Sequence, residues 1–285
     1  MTVSVSTIDF HVTSECNQEC PYCWGPQGFE EPVDTATARA IVEKVAGMGV
    51  RRIVYTGGDP LLRPDIGELL DLSKAQGLEV ALSTTGDELT GSFLAAHAAS
   101  IDLISLPIDG PSEEVSRRTK KEGHFAAVLA AMDLLAAFPD MDVKMATPVT
   151  RKNLDAIPDI VRLLEDRRGS MPNRFFYNVF QAFPRAMGDA EWDDLLVSAA
   201  EFEGLKGRVA LLGPTFPINW LDHDTLDRLY VMIFPDGTLT VPSGPDFLNY
   251  GPFLEVGDLG ELLSRTDFDA PKHRRHSQGW TKNSS

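Results

Sequence analysis

The sequence has little cysteine. Three cysteines occur among 285 residues, and Cys16, Cys20 and Cys23 lie within eight consecutive positions. An odd number in so short a segment does not fit a disulfide framework, in which paired cysteines are spread along the chain. We therefore expect the three thiols to bind a metal or a cofactor.

Long apolar runs and positive charge are also scarce. No segment approaches the roughly 18 to 20 apolar residues of a membrane span, and residues 1–13 lack the features of a signal peptide. The formal net charge of −16 would repel a phosphate backbone. Two short basic clusters, at residues 117–121 and 272–275, are typical of solvated faces or small-anion contacts. We expect a cytoplasmic globular protein without nucleic-acid or membrane partners.

The sequence does contain a regular alternation of short β-rich runs and longer amphipathic segments, which predicts a parallel sheet covered by helices. A hydrophobic content of 43% is enough for one substantial core. The predicted strands are Thr7–Val12, Arg52–Tyr55, Glu79–Ser83, Leu103–Ile108, Val143–Val149 and Arg174–Phe180. The predicted helices include Ala36–Met48, Ile66–Ala75, Phe125–Ala137 and Ile157–Asp166.

The alternation weakens in the last third of the chain. We therefore expect a core of residues 1–187 and a smaller C-terminal part of residues 188–285. Within the second part, Leu229–Phe234 and Thr238–Val241 predict a β-hairpin with a proline- and glycine-containing turn between them. The polar tail from about Lys272 is expected to fray.

The cysteine segment directly follows the first predicted strand, and parallel α/β folds place their chemistry at the carboxyl ends of strands. A cubane iron–sulfur cluster usually takes four cysteine ligands, so with three cysteines one iron must bind another group. Zinc is the alternative metal, but a closed zinc site needs four ligands and no second CxxC or HxxxH pair is present. His11 is the nearest other candidate ligand, although its place inside a strand favours a wall residue. Three unrelated buried cysteines are the remaining alternative.

The spacing CxxxCxxC, with Tyr22 before the last cysteine, resembles the hallmark of the radical S-adenosylmethionine (SAM) superfamily. With the six predicted βα units, the resemblance implies an α/β fold, an open partial (β/α)6 barrel with a small C-terminal α/β cap. It implies one [4Fe-4S] cluster on Cys16, Cys20 and Cys23, with SAM on the fourth iron. An electron donor such as flavodoxin or ferredoxin would drive cleavage of SAM to methionine and a 5′-deoxyadenosyl radical.

A second motif follows the second predicted strand. Gly57, Gly58, Asp59 and Pro60 resemble the family's GGEP motif, which receives the amino group of SAM. Two glycines allow close backbone approach, and a carboxylate accepts hydrogen bonds from an ammonium group. Asp59 stands where the family usually has glutamate, so the shorter side chain changes the geometry of this contact.

Three further segments resemble family motifs. The segment after the third predicted strand resembles the TNG segment, which implies that Ser83 and Thr85 bind the ribose or methionine part of SAM. The fourth strand resembles the SLDG segment, with Pro107 at the usual serine and Ser105 as the alternative hydroxyl on the same strand face. Arg118 lies near a family arginine that pairs with the SAM carboxylate, a task suited to a bidentate guanidinium.

Residues 233–243 resemble the hairpin that opens the family's SPASM or twitch extension. In that extension a cysteine follows the proline, whereas this chain has Ser243 there and no cysteine after Cys23. The resemblance implies an extension that closes the barrel and helps to form the substrate pocket, without an auxiliary cluster.

These resemblances imply a radical SAM enzyme that abstracts a hydrogen atom from its substrate. We expect a small natural-product intermediate, such as a sugar, nucleoside or amino-acid derivative, because no additional peptide-recognition domain is evident. Modification of a ribosomally made peptide is the alternative, and an iron–sulfur or zinc binding protein without radical chemistry is a third hypothesis. Without a second cluster to accept an electron, redox-neutral rearrangement, epimerisation, elimination or bond formation is favoured.

The supply of cysteines predicts one cluster per chain. After anaerobic reconstitution, iron analysis should give about four iron atoms per chain. Electron paramagnetic resonance should show one cluster signal, and this signal should change when SAM is added. About eight irons per chain, with a second signal indifferent to SAM, would contradict this prediction.

Overall fold

The computed structural model describes residues 3–26, 28–29, 31–184 and 192–278. These residues form one sheet of ten strands and the helices that cover it. The strands are β1 (Thr7–His11), β2 (Arg52–Thr56), β3 (Glu79–Ser83), β4 (Leu103–Pro107), β5 (Asp142–Val149), β6 (Phe175–Gln181), β7 (Ile218–Leu221), β8 (Met232–Ile233), β9 (Thr238–Ser243) and β10 (Asp246–Pro252).

The described helices vary in length from one turn to 13 residues. None of them combines the length and the apolar character that crossing a membrane requires. They are α1 (Thr35–Gly47), α2 (Ile66–Ala75), α3 (Gly91–His97), α4 (Glu113–Ser116), α5 (His124–Leu135), α6 (Ile157–Arg168), α7 (Ala199–Ala210), α8 (His223–Leu226), α9 (Leu259–Ser264) and α10 (Ala270–Gln278).

The sheet has the order β10-β9-β8-β1-β2-β3-β4-β5-β6-β7. Every pair from β8 to β7 is parallel, whereas β9 and β10 run antiparallel to their neighbours. The two outer strands, β10 and β7, do not pair with each other, so the parallel part is an open partial barrel. This confirms the predicted α/β fold class and brings the loops that follow the parallel strands to one end of the sheet.

Strand β1 illustrates how the sequence builds two layers. Ile8 and Phe10 are completely buried in the main hydrophobic core. Thr7, Asp9 and His11 alternate with them and line an internal cavity. Because successive side chains of a strand point to opposite faces, one face of the sheet packs against the helices and the other encloses the cavity.

The six predicted strands are present as β1 to β6, with ends within one residue of the prediction. The predicted hairpin is also present, since β8 and β9 pair antiparallel. Strand β7 was not predicted. Its four residues, Ile218–Leu221, are too few to establish a period-two pattern, and its pairing with β6 is decided by the tertiary structure.

The C-terminal part continues the sheet of the core. Strand β8 pairs with β1, with Asp9 opposite Met232 and Phe10 opposite Ile233. The boundary expected at residues 187/188 lies outside the described residues. The fraying expected from Lys272 is wrong for residues 272–278, because these belong to α10.

A buried histidine attaches α10 to the core. The Nε2 atom of His273 accepts a hydrogen bond of 3.0 Å from the backbone N–H of Ser6, and its Nδ1 atom lies 2.8 Å from the carbonyl oxygen of Leu229. Since Nε2 accepts, Nδ1 must carry the proton and donate to Leu229. Burial lowers the pKa of His273, so the imidazole is neutral in the folded protein.

Removal of this side chain should destabilise the protein. We expect His273→Ala to lower the free energy of unfolding by about 1 to 3 kcal/mol, because buried hydrogen-bonding groups lose their partner. The control is Arg274→Ala, an exposed neighbour on α10, which should change it by less than about 0.5 kcal/mol. Urea unfolding measures both variants, and equal losses would contradict the assigned role.

The same histidine predicts a pH dependence. Unfolded histidine titrates near pH 6.5, and the folded pKa lies lower, so the unfolded chain binds more protons below that pH. The stability that depends on His273 is therefore present above about pH 6.5 and is lost as the pH falls through the lowered pKa. His273→Gln should weaken this dependence in urea unfolding between about pH 7 and 5.

Candidate active site

The cysteine loop, which we define as residues 12–24, follows β1 at the carboxyl end of the sheet. The side chains of Cys16, Cys20 and Cys23 all line one cavity of about 360 Å³. A backbone hydrogen bond of 3.0 Å from Cys23 to the carbonyl of Cys20 closes a turn between them. Burial raises the pKa of the Cys20 thiol, and a bound metal would reverse this effect because a coordinating thiol is deprotonated.

The glycine pair, Gly57 and Gly58, follows β2 and lies against the cysteine loop. The backbone N–H of Gly58 donates to the carbonyl of Thr13 at 2.8 Å. A Cβ atom on Gly57 would lie 2.2 Å from the carbonyl oxygen of Thr13, and one on Gly58 would lie 1.9 Å from that of Glu15. Gly57 also has a φ of +145°, which favours glycine. The two glycines are therefore required for contact between the two loops.

Asp59 connects the loops after β2 and β3. Its Oδ1 atom accepts hydrogen bonds from the backbone N–H of Leu61 at 3.0 Å and the hydroxyl of Thr84 at 2.7 Å. Its Oδ2 atom accepts from the backbone N–H of Thr85 at 3.2 Å and from the Thr85 hydroxyl. These four donors fill the acceptor positions of a carboxylate, and Asp59 is completely buried. Its contact with the amino group of SAM stays a prediction.

Tyr22 and Asp109 connect the cysteine loop to the segment after β4. The Tyr22 hydroxyl donates to Oδ2 of Asp109, which also accepts from the hydroxyl of Thr119 at 2.6 Å. Burial and the neighbouring charge of Asp109 raise the pKa of Tyr22 well above its usual value. Tyr22 therefore remains a hydrogen-bond donor at neutral pH.

A lysine of the basic cluster at residues 117–121 reaches the cysteines. The ammonium group of Lys120 lies 3.0 Å from Sγ of Cys20 and 5.6 Å from the centre of the Tyr22 ring. Burial favours the neutral amine, but the charges of Asp109 and Cys20 outweigh it and raise the pKa of Lys120. Arg118 is half exposed, donates to the carbonyl of Lys152 at 3.1 Å, and does not line the cavity.

A second layer of polar contacts supports the cysteine loop from the segments after β3 and β4. The side-chain amide of Gln18 donates to Asp87 at 2.5 Å and its oxygen accepts from the backbone N–H of Lys121 at 2.9 Å. Asp87 in turn lies 2.9 Å from Nδ1 of the buried His124. Burial acts against the charged form of Asp87, but the hydrogen bonds from His124 and Gln18 outweigh it and lower its pKa.

Aromatic side chains form one wall of the cavity. The ring of Trp24, directly after the last cysteine, lies 5.1 Å from Tyr230, 5.8 Å from Phe247 and 6.4 Å from Phe183, measured between ring centres. Trp24, Phe183 and Tyr230 line the cavity, and Phe247 contacts Trp24 without lining it; we call these four residues the aromatic wall. Since Tyr230 and Phe247 belong to the C-terminal part, that part helps to enclose the site.

Charged residues lie deeper in the barrel. Asp9, Arg52 and Lys144 line the cavity towards the amino-terminal ends of the strands. Arg52 donates to Glu79 at 2.6 Å and to the carbonyl of Ser277 in α10 at 3.3 Å. Burial raises the pKa of Asp9 and lowers that of Lys144, and their opposite charges act against both shifts. We call Asp9, Arg52 and Lys144 the charged group.

His11 lies on the cavity wall between the cysteine loop and the C-terminal part. Within the described residues neither ring nitrogen has a hydrogen-bond partner, and the ring lies 5.6 Å from that of Phe234. Burial lowers the pKa of His11 to about 3, so the neutral ring offers one donor and one acceptor. The position of His11 in a strand favoured a wall residue. The structure shows in addition that both of its ring nitrogens are buried without a hydrogen-bond partner among the described residues.

The residues expected to bind SAM divide into those that line the cavity and those that do not. Ser105 does not line it: the residue is buried, and its carbonyl accepts a hydrogen bond of 3.1 Å from the backbone N–H of Thr84. Those that line the cavity are Tyr22, Gly58, Ser83 and Thr85. Those that do not are Gly57, Asp59, Pro60, Ser105 and Arg118.

The three cysteines fit a cluster better than a single metal ion. In the part of the chain that the structure describes, no three or more His, Cys, Asp or Glu side chains are grouped so that they could hold one ion. A cubane cluster needs a different arrangement, because each thiolate binds a separate iron at the edge of a shared space. The three cysteines line one cavity, as that arrangement requires.

Comparison with known proteins identifies the family. The model of the radical SAM superfamily matches residues 10–164. The chain belongs to this superfamily. Radical SAM proteins use a [4Fe-4S] cluster and SAM, and the matched residues include the cysteine loop, the glycine pair and Lys120.

Individual radical SAM proteins resemble the chain to different extents. It is 29% identical to mycofactocin maturase MftC of Mycobacterium ulcerans over 73% of this chain and 58% of the maturase. It is 26% identical to an S-adenosylmethionine-dependent nucleotide dehydratase of Flammeovirga pacifica over 89% of this chain and 88% of the dehydratase. Native anSMEcpe with bound AdoMet and the Cp18Cys peptide has the same fold, with a TM-score of 0.71 at 15% identity, over 94% of this chain and 81% of anSMEcpe.

The glycine pair gives a test of how the cysteine loop is held. Gly58→Ala should lower the iron content after reconstitution by more than about half, because its Cβ would overlap the carbonyl of Glu15. Gly47→Ala is the matched control, since a Cβ there meets no atom within 4 Å. Equal iron contents in both variants and the wild type would show that the close contact is dispensable.

Proposed function

We propose that this protein reductively cleaves SAM and uses the 5′-deoxyadenosyl radical to abstract a hydrogen atom from a small natural-product intermediate. Sugar, nucleoside and amino-acid derivatives are the candidate classes. The observation that carries the proposal is the single cavity that joins the three cysteines to polar groups inside the barrel. Its volume of about 360 Å³ lies in the range of small-molecule sites.

Each part of the site has a proposed role. Cys16, Cys20 and Cys23 hold the cluster, which together with SAM supplies the radical. Gly58 offers its backbone to SAM, while Ser83 and Thr85 offer hydroxyl groups. The aromatic wall excludes water from the space around the radical.

The deeper part of the cavity is proposed to hold the substrate. Aromatic side chains suit a flat or apolar portion of a small molecule, and the charged group and His11 suit its polar substituents. His11 contributes the clearest signal, because its two ring nitrogens are buried and unused in the described structure. The likeness to a nucleotide dehydratase over 88% of that protein agrees with a small substrate.

We also propose a single cluster and a redox-neutral reaction. Ser243, at the position where the family extension has a cysteine, ends β9 and donates a hydrogen bond of 3.2 Å to Asp267. The chain has no further cysteines for a second cluster. Rearrangement and elimination conserve the electron count of the substrate, as does epimerisation when a hydrogen atom is returned to the substrate radical. Bond formation does so when the radical adds to a double bond, and these outcomes need no second acceptor for an electron. Flavodoxin or ferredoxin is the proposed class of electron donor.

Peptide modification is the second candidate function. It is favoured by 29% identity to mycofactocin maturase over 73% of this chain. The chain spans only 58% of that maturase, so the likeness does not extend to the whole of that protein. Incubation with peptide pools and with small-molecule pools, followed by mass spectrometry, distinguishes the two substrate classes.

Cleavage of SAM is the direct test of the proposed function. The reconstituted protein should release 5′-deoxyadenosine under reducing conditions, whereas Cys20→Ala should release none because one iron loses its ligand. A protein that binds four irons but never cleaves SAM would support the third hypothesis, an iron–sulfur protein without radical chemistry.

Asp59→Ala should weaken SAM binding and leave the cluster assembled. Because Asp59 already accepts four hydrogen bonds within the protein, its loss is expected to act through the loops after β2 and β3 that it joins. Hydrogen bonds to a charged group are worth about 1.5 to 3 kcal/mol, so we expect at least about a tenfold increase in Kd. Asp155→Ala is the control, because that carboxylate is 93% exposed. Titration with SAM measures both, and an unchanged affinity in Asp59→Ala would remove this residue from the site.

A further inference from the structure

Lys120 is placed to act on the cluster itself. Its ammonium nitrogen lies 3.0 Å from Sγ of Cys20, within hydrogen-bond distance of a sulfur that the proposed function assigns to iron. The ammonium nitrogen also lies over the Tyr22 ring, 5.6 Å from its centre. Two kinds of contact therefore hold the charge at this sulfur.

The surroundings fix this arrangement. Tyr22 is 8% exposed and Asp109 is 1% exposed, and the two are joined by a hydrogen bond. Thr119, the residue before Lys120, donates to the same carboxylate at 2.6 Å. The backbone at Lys120 is thereby attached to Asp109, so the starting position of the Lys120 side chain relative to Cys20 is fixed.

A cation at a cluster sulfur changes the energy of one redox state more than the other. Reduction adds one negative charge to the cluster, and a positive charge nearby stabilises the reduced state. A hydrogen bond to a ligand sulfur acts in the same direction. Partial burial strengthens both effects, because little water lies between the charges.

We propose that Lys120 raises the reduction potential of the cluster and so assists its reduction by the electron donor. The proposal rests on the proposed function, since it requires a cluster on Cys20. It differs from the expected role of a cation in this segment, which was to pair with the SAM carboxylate. The two roles separate experimentally, because the potential can be measured without SAM.

The neighbouring lysine offers a matched control. Lys121 carries the same charge one residue further along, but its side chain is 47% exposed and pairs with Glu19 at 2.8 Å. Substitution of its side chain keeps the backbone N–H that bonds to Gln18. Lys121→Met therefore removes one positive charge from the same segment without removing a contact to a cysteine.

The experiment is a redox titration of the reconstituted full chain, followed by electron paramagnetic resonance in the absence of SAM. In Lys120→Met the ratio of reduced to oxidised cluster at a fixed potential should fall about tenfold. For a one-electron couple this corresponds to a midpoint potential about 59 mV lower. Lys120→Arg retains the charge and should stay within about twofold of the wild type, as should Lys121→Met. Lys120→Gln, a neutral donor, should fall between them.

Each other outcome overturns a defined statement. An unchanged midpoint in Lys120→Met, with SAM affinity reduced, would assign Lys120 to SAM alone and overturn the proposal. Equal shifts of the midpoint potential in Lys120→Met and Lys121→Met would overturn the specific role of Lys120 and assign the effect to net charge. If neither neutral variant assembled a cluster that Lys120→Arg assembles, the side chain would serve assembly instead. A wild-type protein without a four-iron cluster would overturn the proposed function itself.

Discussion

The contact between the cysteine loop and the glycine pair is the constraint on which the site depends. Gly57 and Gly58 approach the carbonyl groups of Thr13 and Glu15 so closely that no side chain fits between the two backbones. Because β1 and β2 are neighbouring parallel strands, their following loops leave the sheet side by side. Sheet order brings the loops together, and the absence of side chains lets them hydrogen-bond directly.

Three aspartates extend this contact around the barrel, of which Asp59 and Asp109 are buried and Asp87 is partly exposed. Asp59 joins the loops after β2 and β3, Asp87 joins the loop after β3 to the cysteine loop, and Asp109 joins the segment after β4 to Tyr22. A buried carboxylate is costly unless donors surround it, so each aspartate fixes the position of its partners. The loop that carries the cysteines is therefore held from three strands, which suits a site whose geometry must persist when a cofactor binds.

The C-terminal part supplies a partner strand for β1 and part of the aromatic wall, which the six-stranded core lacks. Strand β8 covers the open edge of β1, and Tyr230 and Phe247 complete the aromatic wall. Helix α10 contacts the charged group through the carbonyl of Ser277. The cavity is thus lined by both the core and the C-terminal part. An extension without cysteines thereby contributes to the cavity into which the cysteine loop faces.

The sequence by itself determined the family and the fold class and predicts the cluster ligands, because a cysteine spacing and the alternation of β-rich and amphipathic segments are local properties. Six strands and the C-terminal hairpin could be placed for the same reason. The sequence did not single out Lys120, because it lies with Arg118 in one basic cluster, and only the folded chain, in which Lys120 lies beside Tyr22, shows which side chain reaches Cys20. Three of the four hydrogen bonds to Asp59 could not be predicted either, since their donors belong to Thr84 and Thr85, which are 25 and 26 residues away. Which polar groups meet in a buried site depends on strand order and on desolvation, and these exist only in the folded chain.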